Sequence, residues 1–296
     1  MVVTIDQHSG FCYGVIRAIR MTEEALANQQ KLFSLGHIVH NELEVERLSG
    51  LGLRLTDHSI LDREQPDRVL IRAHGEPPET YRRAEQSHTR LIDATCPVVL
   101  KLQQKVRKAY QSSLLSGGTV VIYGKKGHAE VVGLLGQTDN NAWVASIPED
   151  LTGLDVSKPV YLFAQTTMHP EGLKAIESRL FSMRKEQNIP ESVTVEVYDT
   201  ICRHVSSREQ HLKRFSKEHD VILFIAGTQS SNGKILYNVC KRYNNCSYAV
   251  TCPDEIRKEW LETAGSVGIC GATSTPKWLM EACRERVMML SENESL

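Results

Sequence analysis

The amino-acid sequence predicts an α/β protein of three related units, each with a mostly parallel sheet flanked by helices. The first reason is that apolar strand candidates alternate with helical periodicity along the chain. The second is that a strand followed by an aspartate and then a cysteine recurs once in each third of the sequence. The length of 296 residues fits this interpretation because it allows two domains or three small ones.

Strands are predicted where short apolar runs are bounded by polar or turn-forming residues. The candidates are Val69–Ala73, Arg90–Ala94, Thr119–Tyr123, Val160–Ala164, Val193–Tyr198, Val221–Ala226 and Ser266–Cys270. Apolar side chains at helical spacing follow Pro97 and Pro170, and proline is common at the first position of a helix. Asn41 with Glu44 three residues later is typical of a capping box and predicts another short helix.

Three segments share the order strand, aspartate, cysteine. They are Leu91–Cys96, Val197–Cys202 and, with a longer gap, Val2–Cys12. Ligands of open parallel sheets bind beyond the carboxyl ends of the strands, and these cysteines occupy such ends. The repeat therefore predicts three units that face a common centre.

The predicted boundaries give each unit its own chemically active residues. The units are 1–97 with Cys12 and Cys96, 98–199 with His128, Glu130 and Thr166, and 200–296 with Cys202, Ser230–Asn232 and Ser274. No low-complexity linker separates them, so the boundaries depend on the repeat alone.

Composition and charge argue against several classes of protein. The net charge is −1, so the chain has no electrostatic footprint for a nucleic acid. The N-terminus lacks the pattern of a secretory signal, and no run of about eighteen apolar residues predicts a membrane span. Eight cysteines without a CxxC pair indicate reduced thiols. We therefore expect a cytoplasmic, monomeric protein that binds neither nucleic acid nor membrane.

Three cysteines have neighbours that suit a reactive or metal-binding thiol. Cys12 lies between two nearby glycines, and Cys96 precedes Pro97 at a predicted helix N-terminus, where the helix dipole favours a thiolate. Cys202 is followed by a basic pair. From the spacing alone, ordinary thiols are slightly favoured, since a free cysteine is often a core residue.

The remaining cysteines are predicted to be structural. Cys240, Cys246 and Cys252 are spaced by six residues, which leaves a second metal site open. Ordinary buried thiols are the favoured interpretation for these three, and Cys270 is predicted in the core of a strand.

Hydroxyl and imidazole side chains follow several of the predicted strands. They are His74, His128, Gln165–Thr167, Ser230–Asn232 and Ser274, with His40 preceding the capped helix. Hydroxyls and free N–H groups at helix N-termini bind anions without net positive charge, and imidazoles complement them. A simple N-cap is the commoner explanation for any one loop, whereas their recurrence predicts a composite anion pocket.

Together these segments resemble the 4-hydroxy-3-methylbut-2-enyl diphosphate reductase family of the non-mevalonate isoprenoid pathway. The matching segments are Gly10–Val15, Val39–Asn41, Ala73–Gly75, Asp93–Pro97, Gly127–Val131, Gln165–Thr167, Ser230–Asn232 and Ala272–Pro276. The resemblance covers nearly the whole chain. It implies a trefoil of three α/β domains around a central iron–sulfur cluster.

The resemblance also implies a role for each matching residue. The cluster is one [4Fe–4S] with an open apical iron, and its ligands fall on Cys12, Cys96 and Cys202. Substrate-binding residues fall on His40, His74, His128, Thr166, Ser230, Ser231, Asn232 and Ser274. Glu130 falls on the proton donor, with Thr166 and His128 as catalytic partners, and burial beside a diphosphate predicts a raised pKa for Glu130.

The implied reaction is the reductive removal of the allylic hydroxyl of the diphosphate substrate, giving isopentenyl and dimethylallyl diphosphate. Its electrons come from an external donor of the ferredoxin or flavodoxin type. The segment after Cys202 departs from the family pattern, because Val205 cannot donate a hydrogen bond, although Arg208 keeps the basic position. A redox-neutral iron–sulfur hydro-lyase and an iron–sulfur sensor protein remain alternatives.

Overall fold

The computed structural model describes residues 1–27, 31–228 and 230–292, apart from the side chains of Val205, Ser206 and Ser231. The strands are β1 (Val2–Ile5), β2 (Leu32–Leu35), β3 (Leu53–Thr56), β4 (Arg68–Ile71), β5 (Arg90–Asp93), β6 (Thr119–Tyr123), β7 (Trp143–Ala145), β8 (Val160–Ala164), β9 (Val195–Tyr198), β10 (Val221–Ile225), β11 (Ser247–Val250) and β12 (Ser266–Gly271). They form three four-stranded sheets with parallel pairing, which confirms the predicted α/β class.

Helices alternate with the strands along the described part of the chain. They are α1 (Tyr13–Leu26), α2 (Glu42–Gly50), α3 (Ile60–Arg63), α4 (Pro78–Gln86), α5 (Pro97–Ser116), α6 (Ala129–Gly136), α7 (Pro170–Glu186), α8 (Arg203–Ser206), α9 (Arg208–Lys217), α10 (Ser231–Tyr243) and α11 (Lys277–Glu292). Pro97 and Pro170 each occupy the first position of a helix, as predicted. None of these helices is both long enough and apolar enough to cross a membrane.

All seven predicted strands are present, with ends that differ by at most two residues from the prediction. The capped helix is present as well, because the side-chain oxygen of Asn41 accepts a hydrogen bond from the N–H of Glu44 at 3.0 Å. The carboxylate of Glu44 is buried and accepts hydrogen bonds from Arg47 and Trp278. The N-cap half of the predicted capping box is therefore confirmed, and the glutamate stabilises the packing of α2.

The chain divides into two compact units. One comprises residues 1–29, 37–53 and 207–296, and its sheet has the strand order β1-β12-β10-β11. All five residues of β10 are buried, and β12 is buried over most of its length, so the middle of this sheet forms the core. The N-terminal strand β1 pairs with β12, from Val2 with Ser266 to Ile5 with Ile269.

The other unit comprises residues 30–36 and 54–206 and contains two sheets, with strand orders β3-β2-β4-β5 and β7-β6-β8-β9. All five residues of β8 are buried, and β6 is buried over four of its five residues. Each sheet thus has an apolar middle and more exposed edges. The predicted boundaries at 97 and 199 stay a prediction. The structure adds that β1, in the first third of the chain, pairs with β12 in the last third.

Candidate functional site

The three cysteines of the sequence repeat follow three edge strands, β1, β5 and β9. In each case an aspartate is the last residue of the strand or directly follows it, and its carboxylate accepts a hydrogen bond from the N–H two residues later. The pairs are Asp6 with His8 at 3.1 Å, Asp93 with Thr95 at 2.9 Å and Asp199 with Ile201 at 3.2 Å. This side-chain turn is typical of aspartate and redirects the chain out of the sheet. The sequence repeat therefore corresponds to a repeated local structure.

Each of these cysteines directly precedes a helix. Cys12 is the N-cap of α1 and Cys96 is the N-cap of α5, both with non-helical backbone, while Cys202 precedes α8. All three are partly exposed, in contrast to the buried thiols of the core. The predicted position of Cys96 at a helix N-terminus is therefore confirmed, and Cys12 occupies the same kind of position.

Two of the cysteines lie beside the predicted anion-binding loops of their own unit. The N–H of Cys96 donates to the carbonyl of Ala73 at 3.0 Å, next to His74, and the N–H of Cys202 donates to the carbonyl of Thr166 at 2.8 Å. The rings of His74 and His128 meet edge to face, with centroids 5.3 Å apart. Parallel strands of one sheet end at the same edge, which is why the loops after β4 and β5 come together, and likewise those after β8 and β9.

Glu130 lies in the first turn of α6 and is 1% exposed. One carboxylate oxygen accepts a hydrogen bond from the N–H of Thr166 at 2.7 Å, and the other accepts one from the Thr166 hydroxyl at 2.8 Å. The N–H of Glu130 donates to Nδ1 of His128 at 3.2 Å, which makes His128 the N-cap of the helix. The three residues predicted to be catalytic thus form one contiguous group.

Gln165 holds two of these loops together, a role that the sequence did not assign. Its side-chain oxygen accepts a hydrogen bond from the N–H of Lys125 at 2.9 Å, and its amide nitrogen donates to the hydroxyl of Thr167 at 2.8 Å. The side chain is 1% exposed. A buried amide satisfied on both sides fixes the loop that precedes His128 against the loop that carries Thr166.

Burial raises the pKa of Glu130 from 4.5 to about 7, and the hydrogen bonds from Thr166 oppose that shift. Desolvation disfavours the carboxylate more than two donors stabilise it. The predicted direction of the shift is therefore confirmed, with burial as its main cause. A carboxyl with a pKa near neutrality can hold a proton and release it at physiological pH.

This shift predicts a pH dependence of stability. Below pH 4.5 the carboxyl is protonated in both the folded and the unfolded chain, so its contribution is fully present. As the pH rises toward 7, the unfolded chain ionises first, and stability is lost until the folded state ionises as well. We expect the Glu130→Gln variant to gain about 3 kcal/mol relative to the wild type across this range.

The measurement is urea unfolding of both proteins from about pH 4 to about pH 8, comparing their free energies of unfolding. Other titrating groups are common to the two proteins and cancel in the difference. Parallel curves over the whole range would show that the folded chain does not keep Glu130 protonated.

In the other unit, the predicted anion-binding residues follow β10 and β12. Ser230 is the N-cap of α10, where its hydroxyl accepts a hydrogen bond from the N–H of Gly233 at 3.0 Å. The Ser230 hydroxyl lies 3.4 Å from that of Ser274, and the amide of Asn232 donates to the Thr273 hydroxyl at 3.1 Å. Both loops therefore meet, while the side chain predicted at Ser231 lies outside the described residues.

His40 approaches the same loops through a close backbone contact. A Cβ atom on Gly227 would lie 2.5 Å from the carbonyl oxygen of His40 and 3.0 Å from Cα of Asn41, so only glycine fits at this position. Glu42 contributes a further contact, because its carboxylate accepts a hydrogen bond from the N–H of Thr228 at 3.2 Å. His40, Ser230, Asn232 and Ser274 thus belong to one group of loops in this unit.

The other cysteines differ in their burial. Cys240 and Cys270 are fully buried, with sulfur atoms 3.9 Å apart, so the predictions for these two are confirmed. Cys246 is exposed, and its prediction as a buried thiol is wrong because it lies in the turn before the edge strand β11. Cys252 is partly exposed. No three His, Cys, Asp or Glu side chains among the described residues form a ligand set for a single metal ion.

A surface cavity in the described part of the chain lies elsewhere. Its volume is about 470 Å³, and it is lined by Lys31, Phe33 and residues 64–68. None of the predicted site residues contributes to it. The site is therefore recognised by its chemistry and by the strand ends on which it lies.

The fold and the site define an α/β protein whose strand ends carry cysteines that precede helices, loops with hydroxyl and imidazole side chains, and a buried carboxyl with a raised pKa. The chain belongs to the LytB family, since the family model described as LytB protein matches residues 3–288. It is 47% identical over 292 residues to the 4-hydroxy-3-methylbut-2-enyl diphosphate reductase of Parabacteroides distasonis, with 99% of each chain covered. The enzyme of that name from Porphyromonas gingivalis is 46% identical, covering 97% of this chain and 99% of its own.

Solved structures agree with this assignment. A structure of (E)-4-hydroxy-3-methyl-but-2-enyl diphosphate reductase, the terminal enzyme of the non-mevalonate pathway, is 33% identical, with a TM-score of 0.74. The alignment covers 98% of this chain and 100% of that one. A Plasmodium falciparum reductase structure has a TM-score of 0.79 at 20% identity and covers 99% of both chains, which shows the shared fold.

Proposed function

We propose that this chain reductively removes the allylic hydroxyl of 4-hydroxy-3-methylbut-2-enyl diphosphate, giving isopentenyl and dimethylallyl diphosphate. The single observation that carries the proposal is the Glu130–Thr166 pair. The pair combines the buried carboxyl of Glu130, of pKa about 7, with the hydroxyl of Thr166 as a donor. The backbone carbonyl of Thr166 also accepts a hydrogen bond from the N–H of Cys202. A proton donor is thus fixed next to a thiol that suits an electron-transferring cofactor.

The cofactor in this proposal is one [4Fe–4S] cluster held by the thiolates of Cys12, Cys96 and Cys202. The donor set fits, because all three thiols are partly exposed and placed immediately before helices. Thiolates are the usual ligands of such clusters, and three of them leave one iron open. When bound, the cluster would supply the electrons of the reduction and a Lewis-acidic iron for the leaving hydroxyl.

The diphosphate is bound by hydroxyls, imidazoles and an amide rather than by a basic patch. We assign this role to His40, His74, His128, Thr166, Ser230, Ser231, Asn232 and Ser274. Donors at helix N-termini stabilise phosphate oxygens together with the helix dipole, so a chain of net charge −1 can still bind an anion. Each lost donor is expected to weaken binding by about 1–3 kcal/mol.

Glu130 delivers the proton on which the reaction depends. Hydroxide is a poor leaving group, and a proton from the Glu130 carboxyl, passed through the Thr166 hydroxyl, converts it to water. Two electrons come from the external donor, and a second proton adds to either end of the allylic carbon skeleton, which accounts for two products. Burial of Glu130 keeps this proton from bulk water until the substrate binds.

An anaerobic assay with and without a chemical reductant tests the proposal. We expect turnover of the allylic diphosphate to require the reductant and to yield both products. Turnover without a reductant would indicate the redox-neutral hydro-lyase instead, and tight cluster binding without any turnover would favour the sensor. A cytoplasmic location, a monomeric state and a donor of the ferredoxin or flavodoxin type belong to the same proposal.

A further inference from the structure

A buried arginine connects two of the loops that the proposed function uses. Arg208, the first residue of α9, is 4% exposed, and one guanidinium nitrogen donates to the carbonyl of Gly271 at 2.6 Å and to the hydroxyl of Ser9 at 3.1 Å. Gly271 ends β12, just before the loop with Ser274, whereas Ser9 lies in the loop that leads to Cys12. No step of the reaction described above uses this arginine.

Ser9 is the centre of the network. Its hydroxyl donates to the carboxylate of Asp6 at 2.7 Å and accepts from the N–H of Gly271 at 3.0 Å, in addition to the bond from Arg208. A hydroxyl has one donor and two acceptor positions, so Ser9 is fully used. The Cys12 loop is therefore tied to the end of β12 through one partly buried hydroxyl whose hydrogen-bonding positions are all used.

The same two loops pack directly against each other at Gly10. This residue has a φ of +101°, and a Cβ at this position would lie 3.3 Å from the carbonyl oxygen of Thr275 and 3.1 Å from the methyl carbon of Met280. Glycine is thus required by both its backbone conformation and the close approach. The position of Cys12 depends on the loop that carries Ser274, and Arg208 is the cation buried beneath that contact.

The guanidinium also lies in the electrostatic field of nearby thiols. Burial lowers the pKa of Arg208 below its ordinary value, and the charges of Asp6, Cys270, Cys240 and Cys12 oppose that shift. Arginine keeps its charge even when buried. A fixed positive charge close to a cluster ligand stabilises the more negative, reduced state of the cluster.

We propose that Arg208 is a positioning residue for both parts of the reaction. Its guanidinium group holds the Cys12 loop against the Ser274 loop, and its charge raises the reduction potential of the cluster bound through Cys12. This inference rests on the proposed function, because it takes Cys12 as a cluster ligand and Ser274 as a diphosphate ligand. The loop contact and the effect of the charge on the reduction potential can be tested independently by lysine and glutamine substitutions of Arg208.

Two substitutions separate the hydrogen bonds from the charge. Arg208→Lys keeps the charge, so the reduction potential should stay at the wild-type value, while inorganic diphosphate should bind roughly fivefold more weakly because the shorter side chain does not reach Gly271 and Ser9. Arg208→Gln should weaken diphosphate binding similarly. It should also lower the ratio of reduced to oxidised cluster roughly tenfold at a fixed potential, a shift of about 59 mV for one electron.

Arg184 provides the matched control. It is another buried arginine, and it donates only to backbone carbonyls in the other unit, among them those of Lys158 and Thr194. Arg184→Gln should lower stability and leave both the potential and diphosphate binding unchanged. Ser274→Ala should weaken diphosphate binding and leave the potential unchanged.

The experiment uses the full chain, purified anaerobically, with spectroelectrochemical titration of the cluster and calorimetric titration of inorganic diphosphate. The inference is overturned if both Arg208 variants keep the wild-type potential and affinity, or if they only lose stability as the Arg184 variant does. If Arg208→Gln does not fold, Ser9→Ala and Arg208→Lys test the loop contact, and an unchanged affinity in both rejects it. A wild-type protein without a cluster or turnover would instead reject the proposed function.

Discussion

Replacing Glu130 by glutamine should lower the turnover number by roughly 10²–10⁴-fold, the usual range for loss of a general acid. Glutamine has nearly the same shape, and its side-chain oxygen can still accept the N–H of Thr166, which donates to Glu130 at 2.7 Å. The fold and the iron content should therefore be those of the wild type. What is lost is the proton that the carboxyl carries at neutral pH.

The pH profile separates this explanation from a structural one. Because the pKa of Glu130 is about 7, wild-type turnover should fall as the pH rises through that value, and the residual activity of the variant should not follow it. Glu44→Gln is the matched control, since Glu44 is also a buried carboxylate but pairs with Arg47 and Trp278. This control should lose stability and keep its turnover per folded molecule. Wild-type activity in the Glu130 variant would reject its role as the acid.

The seven strands that the sequence predicted include those buried on both faces, together with two partly exposed edge strands, β5 and β9. Val160–Ala164 and Val221–Ile225 are apolar throughout and completely buried, so a local pattern suffices to find them. The strands that it missed include β3, β7 and β11, which lie at sheet edges. Each has only three or four residues and is partly exposed, so its composition differs little from that of a loop.

Long-range pairing and side-chain partners account for the rest. No local pattern shows that Val2–Ile5 pairs with a strand more than 260 residues later in the chain. The strand-end cysteines could be located because a strand, an aspartate and a cysteine follow one another locally. Gln165 and Arg208 link loops that are distant in sequence, so their roles could not be predicted from a local pattern. The burial of Glu130 was predicted only as part of a family role. The structure shows that the carboxyl is buried and that its partner is the hydroxyl of Thr166.

Replacing Cys12, Cys96 or Cys202 by serine should each lower activity at least about a hundredfold, because a hydroxyl is a poor substitute for a thiolate ligand of iron. The iron content of anaerobically purified protein should fall with it. The structure predicts that these substitutions do not lower the stability of the cluster-free chain. Cys12 and Cys96 are N-caps with non-helical backbone and no side-chain capping bond, and serine is a preferred N-cap residue.

Serine at position 12 or 96 should therefore raise the stability of the cluster-free protein by up to about 1 kcal/mol, measured by urea unfolding, while iron and turnover are lost. Cys246→Ser is the control, since that thiol is exposed and lies outside the proposed site, and it should keep both iron and activity. A cluster ligand is indicated when the serine variant loses iron but its cluster-free form gains stability. A structural thiol would not give changes of opposite sign. A variant of Cys96 that lost stability along with its iron would mean that the thiol stabilises the fold itself, and one that kept its iron would remove it from the ligand set.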